Sequence, residues 1–430
     1  MRKLVLILVC IGLMSLPMGA MASTSAEKQA AIDAGLAWLA STQNAANGSW
    51  NSSGYPVADT GAALLAFVEQ RYKPLGWNGA DYSAVVTKAT DYLLKNTTAL
   101  NLPANWWGFN GTGGSGTGLQ WGAGTGENTY ITGLVLPALS RLVNNPSGLP
   151  MVLPGSVIAG TGNAAVDGKT YAQVIQGGVD TFAWGQTGPA GGNMYGGWRY
   201  VPNSNQSDMS TTQWAPISFL FAGSVPGVTI PTDGANSMKL GLQAWLTADQ
   251  IADGGVDYYP GVGWYNATHI GGFLVSRLFA GGGGNQANAL NWLNTVAQWQ
   301  MGPNNTWFGN EGHPYAMWAV YKGLESLFGT SGAGPITNLF PQTTPIDPGA
   351  IWNWWEDYCQ YIVTHQNASG FWPGYSYWDG ALQAAWYINI LNATTIPDGG
   401  DGKVPEPATM ILLGAGLVGL AGYARKRMKK

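Results

Sequence analysis

The sequence predicts an all-α protein built from six helix pairs, on two observations. Six times along the chain, an apolar helical stretch leads through a turn rich in glycine and tryptophan into a second apolar stretch. Of the 430 residues only 10% are charged whereas 46% are hydrophobic, and 63 are Gly and 21 are Trp. A disordered chain needs low hydrophobicity and high net charge, so this chain must instead bury a large aromatic core.

The six pairs are spaced unevenly because loops of different length are inserted between them. The first helical stretches open near Gly35, Asp91, Gly177, Leu240, Leu290 and Trp355. The turns centre on Trp50, Trp106 to Phe109, Trp198, Asp253 to Gly255, Trp307 and Trp372. The second stretches cover residues 59–65, 128–139, 210–221, 267–279, 314–327 and 380–391. One helix pair cannot bury its apolar face alone, so the pairs must stack, and six can close into a ring.

The central part of the chain is acidic. Residues Ser23 to Gly402 hold 11 of the 19 basic residues and 22 of the 23 acidic ones, a formal net charge of −11. Binding to nucleic-acid phosphates requires basic surfaces, so the composition predicts no nucleic-acid partner.

Residues 1–22 have the pattern of a secretory signal peptide. Arg2 and Lys3 precede an apolar run too short to span a bilayer, and Ala20-Met21-Ala22 is a small-residue cleavage site. The alternative is a buried N-terminal helix. Signal peptidase is therefore an expected partner. Cleavage would leave Cys359 as the only cysteine, so no internal disulfide can form.

The C-terminal residues 404–430 combine three elements. The triplet Pro405, Glu406, Pro407 precedes an apolar helix predicted over residues 409–424, and the basic residues Arg425, Lys426 and Arg427 follow it. This pattern resembles the PEP-CTERM sorting signal of Gram-negative exported proteins. The resemblance implies an exosortase partner, cleavage near the triplet, and delivery to the cell surface or exopolysaccharide matrix. The alternative is an ordinary anchor helix that is retained. Residues 393–403 are predicted to be a flexible linker.

The first repeat carries a motif of its own. Its members are Gly35, Trp38, Gln43, Gly48 and Trp50, and Gln366 to Trp372 repeat the pattern in the sixth pair. They resemble the QW motif of the prenyltransferase and squalene-cyclase family. The resemblance covers roughly residues 30–392 and implies that residues 23–392 form one α/α toroid. In that fold the second helix of each pair lines the inside of the ring.

The catalytic motifs of that family are missing from this chain. Terpene cyclases use a D-x-D-D motif, but Val57 and Ala58 precede Asp59 here. Zinc prenyltransferases use an Asp-x-Cys pair and a distant His. Asp357, Cys359 and His365 match that residue pattern but lie on the helix before the turn. Cys359 is therefore expected to be a small buried hydrophobe, and we expect no metal and no cofactor. The residues Asp249, Asp253 and Asp257 are interpreted as polar residues that stabilise a turn, with calcium binding as the alternative.

Polar residues near the starts of the second helices are the candidate site. They are Asp59, Glu127, Asp208, His269, His313 and Asp379. The alternative is local helix capping, which Asp favours and His does not. Turn tryptophans such as Trp50, Trp198, Trp307 and Trp372 are expected to be structural. Loop tryptophans are expected to form a glycan platform: Trp106, Trp107, Trp121, Trp184 and Trp264.

Three functions remain open from the sequence. The first is an exported, surface-sorted toroid that binds a ligand or partner without catalysis. The second is a polysaccharide lyase or glycoside hydrolase acting on an extracellular polysaccharide. A lyase would use His269 or His313 with Tyr315 for proton transfer and Arg199 for a uronate, whereas a hydrolase would pair Glu127 with Asp208 or Glu311. The third is a structural matrix protein.

Overall fold

The structure is a computed structural model. It describes residue 23 and residues 25–71, 81–145, 151–235, 237–295, 309–330, 336, 354–375 and 378–397. The predicted signal peptide, the sorting segment with helix 409–424, and Trp307 lie outside the described residues. The all-α class is confirmed. Within the described part, no helix is both long and apolar enough to cross a membrane.

The helices follow the predicted pairs in chain order. The pairs are α1 (Ser25–Thr42) with α2 (Pro56–Arg71), α3 (Ser83–Lys95) with α4 (Asn128–Val143), α5 (Tyr171–Gly185) with the consecutive α6 (Met209–Thr212) and α7 (Trp214–Gly223), α8 (Ser237–Asp249) with α9 (Ala267–Ala280), α10 (Gln286–Leu293) with α11 (Pro314–Phe328), and α12 (Trp354–His365) with α13 (Ala381–Leu391). An antiparallel hairpin, β1 (Thr98–Asn101) with β2 (Thr117–Gln120), is inserted between α3 and α4.

Burial separates the helices into an inner and an outer set. Every residue of α4 from Ile131 to Val143 is buried, and α7, α9, α11 and α13 are buried on nearly all sides. In contrast α3 buries one stripe, made of Val86, Ala89, Thr90, Leu93 and Leu94. A helix that is apolar all round must be enclosed, whereas an amphipathic helix needs only one covered face.

The inner helices contact one another in cyclic order. Helix α2 packs on α4, α4 on α7, α7 on α9, α9 on α11, α11 on α13, and α13 packs back on α2. The outer helices pack against this inner set, for example α3 on α2, α5 on α4, α8 on α9 and α12 on α13. The first and last pairs of the chain therefore meet, and the inner set has no end that needs a polar cap.

A glutamine after the outer helix joins one pair to the next. Each such Nε2 donates to a glycine carbonyl in its own turn and to a carbonyl of the following outer helix or its N-cap. The acceptors are Gly48 and Val85 for Gln43, Gly196 and Met238 for Gln186, Gly254 and Asn285 for Gln250, and Gly370 and Ala31 for Gln366. Because Ala31 lies on α1, the glutamine of the sixth pair connects the last repeat to the first at 2.8 Å.

In four of the pairs, a buried tryptophan closes the turn between the two helices. Its indole N–H donates to a carbonyl near the end of its own outer helix: Trp50 to Leu39, Trp121 to Leu93, Trp198 to Phe182 and Trp372 to Ile362. The turn predicted at Trp106 to Phe109 is present, but it lies inside the inserted hairpin, and Trp121 instead closes the second pair. The prediction that Trp121 is a platform residue is wrong for the same reason, since its exposed fraction is 0%.

The predicted flexible linker is wrong for its first residues. Thr394 and Ile396 are buried, and the Ile396 N–H donates to Glu325 Oε2 at 2.7 Å. This part of the chain is packed against the body because its apolar and backbone groups find partners there.

Replacement of Gly370 tests the junction between the last and first pairs. Gly370 has φ +86°, and a Cβ there would lie 2.2 Å from the Ala34 carbonyl oxygen on α1. Gly54 is the matched control, since it has φ +84° and no atom within 4 Å of an added Cβ. Both substitutions to Ala incur the left-handed backbone penalty, but only Gly370→Ala adds a backbone clash. We expect Gly370→Ala to lower the free energy of unfolding by about 2 kcal/mol more than Gly54→Ala in urea titrations. Equal losses would contradict the close junction.

Candidate functional site

The starts of all six inner helices meet around one aromatic cleft. Residues from the first turn of each inner helix line it: Ala58, Tyr130, Ser210, His269, Tyr315 and Leu382. The cleft has two lobes, with cavity volumes of about 370 Å³ and about 330 Å³. Four aromatic residues line both lobes, namely Tyr130, Tyr200, Tyr315 and Trp378. The inner helices therefore point the same way, and their N-terminal ends build a single site.

Stacked aromatic side chains form the floor of the cleft. The rings of Trp214 and Tyr315 are stacked with centroids 6.2 Å apart, and Trp386 lies 5.9 Å from Tyr315. Below them, the space between Trp214, Trp318 and Trp386 has a volume of only about 10 Å³. That is room for at most one water molecule, so the cleft is blind.

A turn held by Asp59 forms one rim of the first lobe. Asp59 Oδ2 accepts the N–H groups of Ser52 and Ser53 at 2.6 Å and 2.9 Å, and Oδ1 accepts Ser53 Oγ at 2.6 Å. Ser52 Oγ in turn accepts the N–H of Ala381 at the start of α13. Asp59 is not the N-cap of α2, because it lies inside that helix. It is completely buried and positions the two serines that line the lobe.

Two carboxyl groups line the first lobe. Glu127 is the N-cap residue of α4 but makes no side-chain capping bond, and Asp379 precedes α13. Burial raises the pKa of both, and for Glu127 the neighbouring Asp208 adds to the increase. Asp208 and Glu311 line neither lobe, although Asp208 lies close enough to Glu127 to raise its pKa. None of the described residues that line the two lobes is Lys or Arg.

Asp208 and Arg199 are paired with each other beside the cleft. Arg199 Nη1 lies 2.5 Å from Asp208 Oδ2, and its guanidinium lies 4.4 Å from the centre of the Tyr200 ring. Asp208 also caps α6 through the Thr211 N–H at 2.9 Å, as the capping alternative predicted. Burial raises the pKa of Asp208. Arg199 is not among the residues that line either lobe, and its guanidinium is paired with Asp208.

The two histidines line the second lobe and are both buried. His269 Nδ1 lies 3.2 Å from the Val256 carbonyl oxygen. His313 is the N-cap of α11, since its Nδ1 accepts the Ala316 N–H at 3.2 Å. The expectation that neither histidine caps a helix is therefore wrong for His313. Burial lowers the pKa of each to about 4, so both rings are neutral at pH 7.

The capping bond of His313 leaves one donor in the lobe. A neutral imidazole whose Nδ1 accepts carries its proton on Nε2. His313 Nε2 has no hydrogen-bond partner among the described residues. The ring packs against Tyr375 and Trp378, with centroids 4.7 Å and 5.4 Å away. His313 therefore holds a buried N–H group that packs beside an aromatic face.

A buried hydrogen-bond chain runs from the cleft in among the inner helices. Tyr130 Oη lies 3.3 Å from Tyr315 Oη, which accepts Gln213 Nε2 at 2.8 Å. Lys322 Nζ donates to Gln213 Oε1 at 3.0 Å and lies 4.2 Å from the centre of the Trp214 ring. Burial lowers the pKa of Lys322 well below its usual value. The chain fixes the hydroxyl groups of Tyr130 and Tyr315 at the cleft floor.

The metal candidates are not assembled. Cys359 is completely buried, whereas His365 is exposed at the end of α12. Of the aspartate trio, Asp249 and Asp257 are buried and Asp253 is exposed in its turn. Among the residues that the structure describes, no three His, Cys, Asp or Glu side chains are grouped to hold a metal ion.

Most of the predicted tryptophan platform lies away from the cleft. Trp107 stacks on Phe109, Trp106 meets Tyr195 edge to face, and Trp184 Nε1 donates to the Pro103 carbonyl. Only Trp264 lines the cleft, in the second lobe.

Sequence reasoning missed the aromatic residues that form most of the cleft wall, Tyr130, Tyr200 and Trp378. Tyr130 follows the predicted Glu127 by three residues, one helical turn, so extending the candidate set by one turn would have found it. Lys322 was also missed, although it is the only basic residue in the apolar helix α11.

Comparison with protein families identifies the C-terminal segment. Residues 403–427 match the PEP-CTERM protein-sorting motif. The match confirms that Pro405, Glu406 and Pro407 belong to a sorting signal. The motif implies that the protein is exported in Gram-negative bacteria, with a C-terminal membrane-anchored sorting signal that an exosortase processes. No curated protein sequence matches the chain.

Substitution of His313 tests the buried neutral ring. The folded-state pKa of about 4 lies below the ordinary value of 6.5. Between pH 6.5 and pH 4, His313 is protonated in the unfolded chain but neutral in the folded chain. The folded state is therefore destabilised as pH falls through this range. His313→Asn keeps a capping acceptor but cannot titrate. Relative to wild type, we expect the variant to gain about 2 kcal/mol of unfolding free energy between pH 7.5 and pH 5 in denaturant titrations.

The control for this prediction is His365→Asn, which removes an exposed imidazole. The same relative gain in the control would contradict the assignment of the effect to His313.

Proposed function

We propose that this protein is an exported carbohydrate-binding toroid that the sorting tail delivers to the cell surface or extracellular matrix. The observation that carries the proposal is the blind cleft, which the starts of all six inner helices line and in which aromatic side chains surround a few hydrogen-bonding groups. We take residues 1–22 as a signal peptide removed by signal peptidase, residues 23–392 as the binding body, and residues 404–430 as the sorting segment.

The toroid arrangement is supported by the cyclic contacts of the inner helices and by the repeated glutamine bonds. These glutamines occupy the position that the resemblance to the prenyltransferase and squalene-cyclase family assigns to the QW motif. Asp59 occupies the region of the cyclases' catalytic acid motif, but it is buried beneath the serine turn and lines neither lobe. It is therefore not placed to protonate a substrate in the cleft. The body therefore fits a relative of that family that binds a ligand but lacks terpene-cyclase activity.

The lining chemistry favours a neutral or amino sugar. Sugar rings present C–H faces that pack on aromatic planes, and their hydroxyls need both donors and acceptors nearby. Tyr55, Tyr200 and Trp378 supply the planes. Glu127 and Asp379 supply acceptors, and the hydroxyl groups of Ser52 and Tyr55 supply donors. An anionic polysaccharide is disfavoured, because no described residue lining the lobes is Lys or Arg and the body is acidic.

An exposed tyrosine at the rim tests carbohydrate binding. Tyr55 lines the first lobe and is 40% exposed, so its replacement should not disturb the core. Tyr265 is the matched control, being 38% exposed and outside the lining of both lobes. We expect Tyr55→Ala to weaken binding of neutral oligosaccharides about tenfold in calorimetric titrations, and Tyr265→Ala to leave it unchanged. If the wild type binds no neutral glycan, a structural matrix protein becomes the better account.

A glycoside hydrolase is the second candidate, because Glu127 and Asp379 line one lobe and burial raises the pKa of each. A raised pKa suits a general acid, and two carboxyl groups are the minimum for this chemistry. A lyase is less well supported, since Arg199 is paired with Asp208.

An assay for released reducing ends separates binding from hydrolysis. We expect purified protein to release none from the neutral glycans that it binds. Release that Glu127→Gln abolishes, and that the control Glu311→Gln retains, would instead establish the hydrolase. Glu311 is a suitable control because it lines neither lobe.

A further inference from the structure

The inner ring has a second end, and the chain's own residues 393–396 cover it. Tyr321 Oη donates to the Thr394 carbonyl oxygen at 2.9 Å, and the Ile396 N–H donates to Glu325 Oε2 at 2.7 Å. Arg141 Nη2 donates to the Thr395 carbonyl oxygen. Thr394 and Ile396 are each 1% exposed. Residues 393–396, hereafter the strap, are therefore part of the folded body.

The groups that hold the strap lie at the C-terminal ends of the inner helices. On α4, Tyr130 lines the cleft whereas Arg141 binds the strap, and their separation of 11 positions spans about 17 Å of helix. On α11, Tyr315 lines the cleft and Glu325 binds the strap, about 15 Å further along. The chain therefore leaves the body at the pole opposite the cleft.

We propose that the strap fixes the exit of the sorting tail at this far pole, so that the cleft of the membrane-anchored precursor opens away from the bilayer. The bilayer-facing surface is then the far pole, where the inner helices end. This inference rests on the sorting motif and the strap, and it does not depend on what the cleft binds.

The length of the tail enforces this orientation. From Ile396 to Thr409, where the predicted apolar helix begins, are 13 residues, which reach at most about 45 Å. A compact body of about 370 residues has a radius of about 27 Å, so the path over its surface from pole to pole is about 85 Å. The tail is too short to follow that path, so the cleft cannot face the bilayer while the tail is inserted.

Processing leaves the strap in place. The triplet at Pro405 to Pro407 lies nine residues or more beyond Ile396, so cleavage near it does not remove strap residues. The released protein therefore keeps the far pole closed and the cleft unchanged, while the anchored precursor already presents the cleft to the aqueous side.

Energy transfer to a membrane measures the orientation directly. The full chain is expressed with Cys10→Ser in a Gram-negative host that has no exosortase, purified from the membrane and reconstituted in phosphatidylcholine vesicles carrying an acceptor lipid. A donor dye is attached to Ser224→Cys or to Tyr55→Cys, one at a time. Ser224 is exposed and caps the C-terminal end of α7, and Tyr55 lines the cleft. The thiol of Cys359 is buried in the folded protein.

We expect transfer from position 224 to exceed transfer from position 55 at least twofold. Equal transfer, or greater transfer from position 55, would overturn the proposal. Failure of carbohydrate binding would leave this result untouched, so the two proposals fail separately.

Strap variants test its part in the orientation. Ile396→Asp should expel the strap, lengthen the free tail and reduce the difference between the two positions, whereas the control Val157→Asp, at a residue 63% exposed, should not. Circular dichroism checks that each variant folds. Should Ile396→Asp fail to fold, Tyr321→Phe removes only the hydroxyl that donates to Thr394. A folded variant with a released strap and an unchanged difference would overturn the role of the strap.

Discussion

Helices that are apolar on every side can be buried only by packing on one another beneath a second layer, and this constraint organises the molecule. Helices α4, α7, α9, α11 and α13 have almost no polar face. Their cyclic contacts leave no helix with an uncovered side. The glutamine bonds then fix four of the six outer helices to the preceding turn, and Gln366 extends this pattern from the last pair to the first. The same parallel arrangement brings six helix starts to one pole and six helix ends to the other.

The helices were predictable because their signals are local. The second stretches predicted to begin at residues 128, 267 and 314 begin at Asn128, Ala267 and Pro314. The turn of the second pair was not predictable, because no local feature distinguishes Trp106 from Trp121 as the partner of Leu93. Only the inserted hairpin decides between them. His313 shows a similar limit, since an imidazole can replace the usual oxygen cap when its ring is buried.

The candidate site was predicted in part. Glu127, His269, His313, Tyr315 and Asp379 line the cleft as helix-start positions should. Asp59, Asp208 and Arg199 instead support the wall through hydrogen bonds and an ion pair. Which aromatic residues complete the cleft depends on how six distant segments meet, and a single sequence does not contain that information. Among the residues that the structure describes, no Lys or Arg lines the cleft.

The central claim is that segments from distant parts of the chain form one binding cleft at one pole. Hydrogen–deuterium exchange in the presence of neutral oligosaccharides tests it most directly. The account predicts slower amide exchange at residues 52–55, 127–131 and 378–382 together, with no change at the strap. Protection of one segment alone, or protection centred on the strap, would contradict a cleft shared by all six helix pairs.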